Sequence, residues 1–268
     1  MTGDADRPRQ LLLEWPLDPV FTLANLAIGA GNRLAVEAVR DLALGRGIAH
    51  LPPLAGLVLH GEEGTGKTHL LQATVRQMRD DHGAQAALYL DLAGLARQLV
   101  QVGKMPDDPT LHRPEALSEA TFSEFLARFA SCRLVAVDGL EQLAPSAPLQ
   151  EALLYLYNGM KGAGARMLFA GREGPDTLPT LRADLRSRLL AEPTLAVHPP
   201  DEEELAAILT KIVSDRQVRI GPELVKFLVH RLPRRVPEVA RAIDRLDHAA
   251  LQLKRPLTIP LAKEVLGL

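Results

Sequence analysis

Cysteine, tryptophan and aromatic residues in general are scarce in this 268-residue chain: one Cys, one Trp, and an aromatic content of 4%. The single Cys132 excludes an internal disulfide, so the fold must rest on burial, and a reducing cytoplasm is the expected setting. Excess charge of one sign is lacking too. Against 33 Asp+Glu stand 31 Lys+Arg, a formal net charge of −2, so no bulk positive field advertises nucleic acid and any DNA contact must come from a local site. No stretch approaches the ~18 apolar residues that would cross a bilayer, which predicts no membrane partner. Internal repeats and low-complexity tracts are missing as well.

What is present is a chain of 47% hydrophobic residues, enough for a large α/β domain with a small satellite. Strand-length apolar runs recur at Leu57–Leu59, Ala87–Leu90, Leu134–Val137, Met167–Ala170 and Leu195–Val197, with helical periodicity between most of them. That alternation predicts a parallel sheet covered on both faces. After Pro200 the character changes. Behind the acidic start Asp201–Glu204, apolar residues at Leu205, Ile208, Leu209, Ile212 and Val213 follow a helical period, as do Val225, Leu228 and Val229, then Val239, Ile243 and Leu246. A small helical bundle is expected there, closed by a helix capped at Thr258-Ile259-Pro260. The expected division is residues 1–18 as an N-terminal segment, 19–199 as the α/β core and 200–268 as the bundle. Gly103 to Ala120, with three prolines, reads as a long loop or insertion.

The strongest motif is Gly61-Glu62-Glu63-Gly64-Thr65-Gly66-Lys67-Thr68, a G-x-x-x-x-G-K-[ST] phosphate loop between a predicted strand and a predicted helix. Glycines let backbone N–H groups wrap a phosphate, and the helix N-terminus attracts its charge. Lys67 is expected to reach the β/γ-phosphates and the Thr68 hydroxyl to ligate Mg²⁺. Such a site takes ATP or ADP. Its partner is a strand ending in an acid, and Leu134-Val135-Ala136-Val137-Asp138 makes Asp138 the Walker B candidate, again for Mg²⁺. Gly139 follows, where many such ATPases carry the acid that activates water; Glu141 lies two positions further on.

With these motifs placed, the run Leu17–Gly29 with Asn32-Arg33-Leu34-Ala35, the phosphate loop entering His69-Leu70-Leu71, and Leu185-Arg186-Ser187-Arg188-Leu189 together resemble the DnaA/Hda family of replication proteins. The resemblance covers nearly the whole chain and stops where the initiators of the family continue into a DNA-reading helix-turn-helix. It implies an AAA+ fold: a five-stranded parallel sheet plus a small C-terminal α-helical lid, with nucleotide between them. It places Phe21, Ile28, Gly29 and Asn32 near the adenine, with Ile28 and Gly29 as base contacts and His69 beside the phosphate loop. It makes Arg188 an arginine finger acting in trans on a neighbour's γ-phosphate. Gln10, Leu11, Leu13 and Trp15 resemble the peptide by which the family docks on the DNA polymerase sliding clamp; the alternative is that these apolar side chains fold back on the sheet.

Several positions depart from the family pattern. Gly139 replaces the acid, Phe169-Ala170-Gly171-Arg172 lacks the polar sensor after the fourth strand, and Pro237 stands where the lid arginine is expected, with Arg234, Arg235 or Arg241 as substitutes. Binding is expected to survive and intrinsic hydrolysis to be weak. The leading expectation is a clamp-bound regulator that stimulates ATP hydrolysis by a DnaA-type initiator, touching DNA through the clamp, with a homodimer as a further option. The alternatives are a helicase loader of the DnaC type, in which Arg172, Arg182 and Arg186 line a single-strand path, and a clamp-bound scaffold without catalytic consequence.

Overall fold

The computed structural model describes residues 15–47, 53–102, 131–144, 146–178 and 180–268. The expected anchors Gln10, Leu11 and Leu13 and the loop Gly103–Ala120 lie outside the described residues. Five strands, β1 (Gly56–His60), β2 (Ala87–Asp91), β3 (Leu134–Asp138), β4 (Arg166–Gly171) and β5 (Thr194–Ala196), form one sheet in the order β2-β3-β4-β1-β5. Every pairing is parallel. All five coincide with the apolar runs read from the sequence.

Consecutive strand residues face opposite sides of a sheet, and an uninterrupted apolar run therefore demands cover on both. Val58, Leu88, Leu90, Val135, Val137, Met167 and Phe169 point to one face, where Leu149, Leu153 and Leu156 of one helix and Leu185 and Leu189 of another cover them. Leu57, Leu59, Tyr89, Leu134, Ala136 and Leu168 point to the other, covered by Ala35, Ala38, Val39 and Leu42 and by Leu70, Leu71, Val75 and Met78. Among the described residues, the helices of this part are, in chain order, α1 (Arg33–Leu44), α2 (Lys67–His82), α3 (Leu92–Val102), α4 (Ala147–Gly162) and α5 (Ala183–Leu190).

The C-terminal part is a separate bundle of α6 (Glu202–Asp215), α7 (Pro222–Arg231), α8 (Val236–Leu253) and α9 (Ile259–Leu266) around Leu205, Leu209, Leu224, Leu228, Val239, Ile243 and Leu246. Asp201 opens it with a reciprocal capping box: its carboxylate accepts from Glu204 N at 2.8 Å, and the Glu204 carboxylate accepts from Asp201 N at 3.0 Å. Two of the four donors that a helix start leaves unpaired are thereby satisfied. Pro237 sits in the first turn of α8, where its missing N–H has no intrahelical partner to lose. It starts the helix and does not distort it.

Candidate functional site

In a parallel α/β sheet, ligands bind beyond the carboxyl ends of the strands, where crossovers leave in opposite directions. β1, flanked by β4 and β5, is such a strand, and the phosphate loop leaves its carboxyl end and runs straight into α2. Gly64 has φ +84°, in the left-handed region that a side chain resists. The Lys67 ammonium is folded back on the loop, donating to the carbonyls of Gly61 (2.6 Å) and Glu62 (2.7 Å) and to Thr65 Oγ1 (3.2 Å). Burial lowers its pKa, opposed by the charges of Asp138 and Glu141, while Arg172 lowers it further. A buried cation bonded only to neutral oxygens is matched to an anion, and the loop's chemistry fits a nucleotide phosphate.

Asp138 closes the site at the end of β3. Its Oδ2 accepts from Thr68 Oγ1 at 2.6 Å and from the Tyr89 hydroxyl at 3.1 Å. Burial raises the Asp138 pKa despite these two bonds, and burial together with the nearby Asp138 charge keeps the Tyr89 phenol protonated. Thr68 and Asp138 are thus in contact, and they are the residues that would hold Mg²⁺, a cation that ordinarily keeps several waters and phosphate oxygens as its remaining ligands. Gly139 has φ +87° and donates to Ala170 O at 2.9 Å, so the chain turns away after Asp138 without presenting a side chain. Glu141 points to the rim, where its carboxylate accepts from Arg172 N at 3.1 Å.

His69 Nε2 lies 2.8 Å from the Thr22 carbonyl and its ring stacks on Phe21, with centroids 4.9 Å apart. Burial lowers its pKa, so the neutral ring donates from Nε2 and fastens the N-terminal segment to α2. Ile28 is 55% exposed. Its neighbours Gly29 and Ala30 lie against Glu204 of α6, and Ala30 N donates to the Glu204 carboxylate; Asn32 Oδ1 accepts from Gly29 N at 2.9 Å. The segment expected near the adenine therefore lies at the junction of sheet and bundle. On the same side, Val236 N donates to Gly64 O at 3.4 Å, and a Cβ at Gly64 would come within 2.9 Å of Arg235 Cβ. Of the three arginines named as substitutes in the lid, Arg235 rests on the phosphate loop. Arg234 pairs with Glu202 at 2.8 Å and Arg241 donates to Pro237 O at 3.3 Å.

Arg188 lies apart from this cluster, on α5. Its Nε donates to Asn158 Oδ1 at 2.9 Å and its Nη1 to Asp184 O at 2.8 Å. Two further expectations need correction. Trp15 is not a free anchor: it is half-buried against both faces' cores, its N donates to Tyr89 O at 3.4 Å, and its indole covers Gly94 closely enough to leave no room for a Cβ. A large apolar ring beside an open glycine is drawn to the sheet edge by burial. Nor do Arg172, Arg182 and Arg186 form a free basic path. Arg186 braces the carbonyls of Asp176 and Leu178, Arg182 pairs with Asp184, and Arg172 bridges Glu63 and Glu141. Tyr89, Glu204 and the pairing of Arg172 with Glu63 and Glu141 were not legible, because each arises from a long-range contact with no local motif, although Glu63 itself lies in the phosphate loop.

A groove of about 810 Å³ lies elsewhere, between α6 and α7, lined in part by Ala206, Val213, Val225 and Val229. Phosphate is held by loop N–H groups and a lysine, so this apolar groove does not mark the nucleotide site.

A phosphate loop on β1, an acid ending β3, and a helical bundle resting on the loop define an α/β AAA+ module. The model of the bacterial DnaA ATPase domain matches residues 17–195, and that of the Hda lid domain matches residues 201–266. The chain belongs to the DnaA ATPase-domain family, and the pairing of these two modules fits Hda, a DnaA-family AAA+ protein. The chain is 27% identical over 251 residues to the chromosomal replication initiator DnaA of Chloroflexus aggregans, covering 94% of this chain and 49% of that protein. For DnaA of a Ruegeria species the figures are 26% over 265 residues, 97% and 53%. The chain thus spans about half the length of the curated relatives it matches. Domain III of the Thermotoga maritima initiator superposes with a TM-score of 0.79 at 20% identity, over 94% of this chain and 98% of that one. The AMPPCP-bound DnaA of Aquifex aeolicus gives 0.69 at 22%, over 88% and 68%. Among the described residues no helix is long and apolar enough to cross a membrane.

Proposed function

We propose that this protein binds an adenine nucleotide with Mg²⁺ between its α/β core and its helical lid, and acts as a negative regulator of replication initiation. Tethered to the DNA-loaded sliding clamp through residues around Gln10–Leu13, it meets an ATP-bound DnaA-type initiator and offers Arg188 to the initiator's nucleotide. The AMPPCP held by the structurally similar Aquifex protein supports the choice of nucleotide. The observation that carries the reading is the split between two places. Lys67, Thr68 and Asp138 are assembled for binding, and no acid follows Asp138. Arg188 meanwhile stands on a different helix, fixed through Nε and Nη1 by Asn158 and Asp184.

A guanidinium has five N–H donors, and the two bonds recorded for Arg188 leave others for an acceptor brought by a partner. Placed beside a neighbour's γ-phosphate, it neutralises charge developing on the transferred group. Such fingers contribute about 10³–10⁵ in rate. The nucleotide in this chain then serves as a structural ligand that orders core against lid. The test is single-turnover hydrolysis by ATP-loaded initiator, with and without this protein and clamp on DNA. Stimulation should need the clamp and vanish in Arg188→Ala, while nucleotide binding by that variant stays intact. Stimulation retained by Arg188→Ala would remove the finger from the mechanism, and hydrolysis by the isolated protein, insensitive to clamp, would favour a loader of the DnaC type.

A further inference from the structure

Asp138 is aimed by residues that also hold the N-terminal segment. Thr68 and Tyr89 both donate to the same oxygen, Oδ2, so the two hydroxyls fix the rotation of the carboxylate, and Oδ1 accepts no hydrogen bond among the described residues. Tyr89 is 4% exposed. Burial raises the pKa of its phenol, the Asp138 charge raises it further, and a hydrogen bond from the Gln72 side chain opposes them. Gln72 is itself buried, and its Oε1 accepts from Asp18 N at 2.8 Å. Donors therefore run in one direction, from the Asp18 amide to Gln72, from the Gln72 carboxamide to Tyr89, and from the Tyr89 hydroxyl to Asp138. Hydrogen bonds aligned head to tail polarise one another, and this series ends on a charge.

The segment is seated by the helix that leaves the phosphate loop. His69, Gln72 and Arg76 stand at i, i+3 and i+7 of α2, one face of a helix, and meet Thr22 O (2.8 Å), Asp18 N (2.8 Å) and Asp18 O (2.7 Å). On β2, Trp15 N donates to Tyr89 O at 3.4 Å and the indole covers Gly94. Tyr89 thus touches the segment through its carbonyl and Asp138 through its hydroxyl. The seat is light: Pro16, Asp18, Pro19 and Val20 are exposed, and the Trp15 bond is long. Lifting Trp15–Asp18 away removes the N–H that fixes which end of the Gln72 carboxamide faces Tyr89. A rotated amide then offers the phenol an oxygen that competes with Asp138 for its proton.

We propose that Gln72 and Tyr89 are positioning residues that couple the N-terminal segment to the cation site: with Trp15–Asp18 seated they hold Asp138 turned for Mg²⁺, and with the segment lifted that hold is lost. The proposal rests on the nucleotide-binding reading of the phosphate loop. Coupling between two sites is reciprocal. A protein that draws the segment off the sheet therefore weakens the Mg²⁺-dependent part of nucleotide binding, and Mg²⁺ with nucleotide resists its removal by the same factor.

Trp15 is the one tryptophan of the chain, which makes its emission a direct report on the segment. Two measurements on the full chain test the coupling: calorimetric affinity for ADP in Mg²⁺ and in EDTA, and acrylamide quenching of Trp15 with and without MgADP. In the parent protein MgADP should lower the quenching, and ADP in EDTA should do so less. Tyr89→Phe should weaken ADP binding in Mg²⁺ by about tenfold, the size of one hydrogen bond to a charged group, change it in EDTA by less than about twofold, and erase the protection of Trp15. Gln72→Leu, which leaves Tyr89 and Asp138 whole, should raise the quenching of Trp15 and weaken binding in Mg²⁺ several-fold. Equal losses in Mg²⁺ and EDTA, no loss in either, or quenching that ignores MgADP would overturn the proposal. A parent protein that binds no ADP in either buffer refutes the phosphate-loop reading and the coupling with it, whereas ADP binding without the Mg²⁺ split refutes the coupling alone.

Discussion

Replacing Asp138 with Asn separates the cost of this carboxylate from its use. In the absence of ligand the charge is buried with two hydroxyl donors, Thr68 at 2.6 Å and Tyr89 at 3.1 Å, and without a cation bonded to it among the described residues. Removing an ion from water costs several kcal/mol, and hydrogen bonds to a charged acceptor return about 1.5–3 kcal/mol each. The raised pKa says that desolvation wins. An Asn carboxamide oxygen accepts both hydroxyls without the ionic penalty, so Asp138→Asn should stabilise the ligand-free protein by about 1 kcal/mol, or roughly 2–4 °C in Tm at this size. The sign follows from proton binding. Native Asp138 keeps its proton at pH values where the unfolded chain, at the usual 3.8, has lost it. The parent protein therefore loses stability as pH rises from about 3.8 through the raised native value, and the variant's advantage is absent at the acid end and complete above it. MgATP should reverse the order. Ligand at 100 times Kd adds about 2.7 kcal/mol, and the variant forfeits the part that depends on Mg²⁺. Thermal unfolding of both proteins, ligand-free and with ATP plus either Mg²⁺ or EDTA, reads all six states. A lower ligand-free Tm for Asp138→Asn, or equal stabilisation of the two proteins by MgATP, would refute the reasoning.

Trp15→Ala should cost about 1–3 kcal/mol, below the range for a fully buried aromatic because the ring is half-exposed, and should appear as a lower Tm or denaturation midpoint. A double change of Leu11 and Leu13 to Ala should instead abolish capture by clamp-coated beads; if Trp15→Ala leaves stability untouched, the packing against Gly94 is not maintained in solution. Gly64→Ala forces a side chain into left-handed backbone, costing about 1–2 kcal/mol, and pushes against Arg235 of the lid. Its expected signature is faster release of labelled nucleotide in stopped-flow displacement, and an unchanged off-rate would show that the loop and Arg235 do not meet during binding.

The sheet was legible because each strand is a short apolar run with both faces buried, so periodicity, length and order all agreed. The phosphate loop and Asp138 were legible for a different reason: their chemistry is written in contiguous residues. What escaped is what only tertiary contact creates. Nothing near Tyr89 in sequence says that its hydroxyl will reach Asp138, and Arg172 looked like one of three loose arginines until the ends of β1, β3 and β4 came together around it. Pro237 was ambiguous between starting and breaking a helix, since that depends on where α8 begins, and boundaries are the weakest part of a sequence reading. Trp15 shows the same limit from the other side. A terminal aromatic beside leucines suits a docking peptide, and only the open surface at Gly94 reveals that the ring already has a place to lie.

The missing catalytic acid is more than one substitution in a familiar site. Gly139 adopts φ +87° as the chain leaves β3, its N–H bonds Ala170 O, and the next residues wind at once into the turn Leu140–Gln142. A Cβ at this position would meet nothing nearer than 3.6 Å, but a glutamate would have to hold a left-handed conformation that L side chains resist by about 1–2 kcal/mol. The backbone is therefore set for glycine. Glu141 does not stand in for the acid, because its carboxylate is turned to the Arg172 amide and guanidinium. On the proposed reading, a chain that assembles Lys67, Thr68 and Asp138 while building its β3 exit around a glycine holds its own nucleotide for long periods. On that same proposal, the arginine it brings to bond breaking is Arg188, which stands on α5, outside that cluster, so that a partner's phosphate would have to come to it.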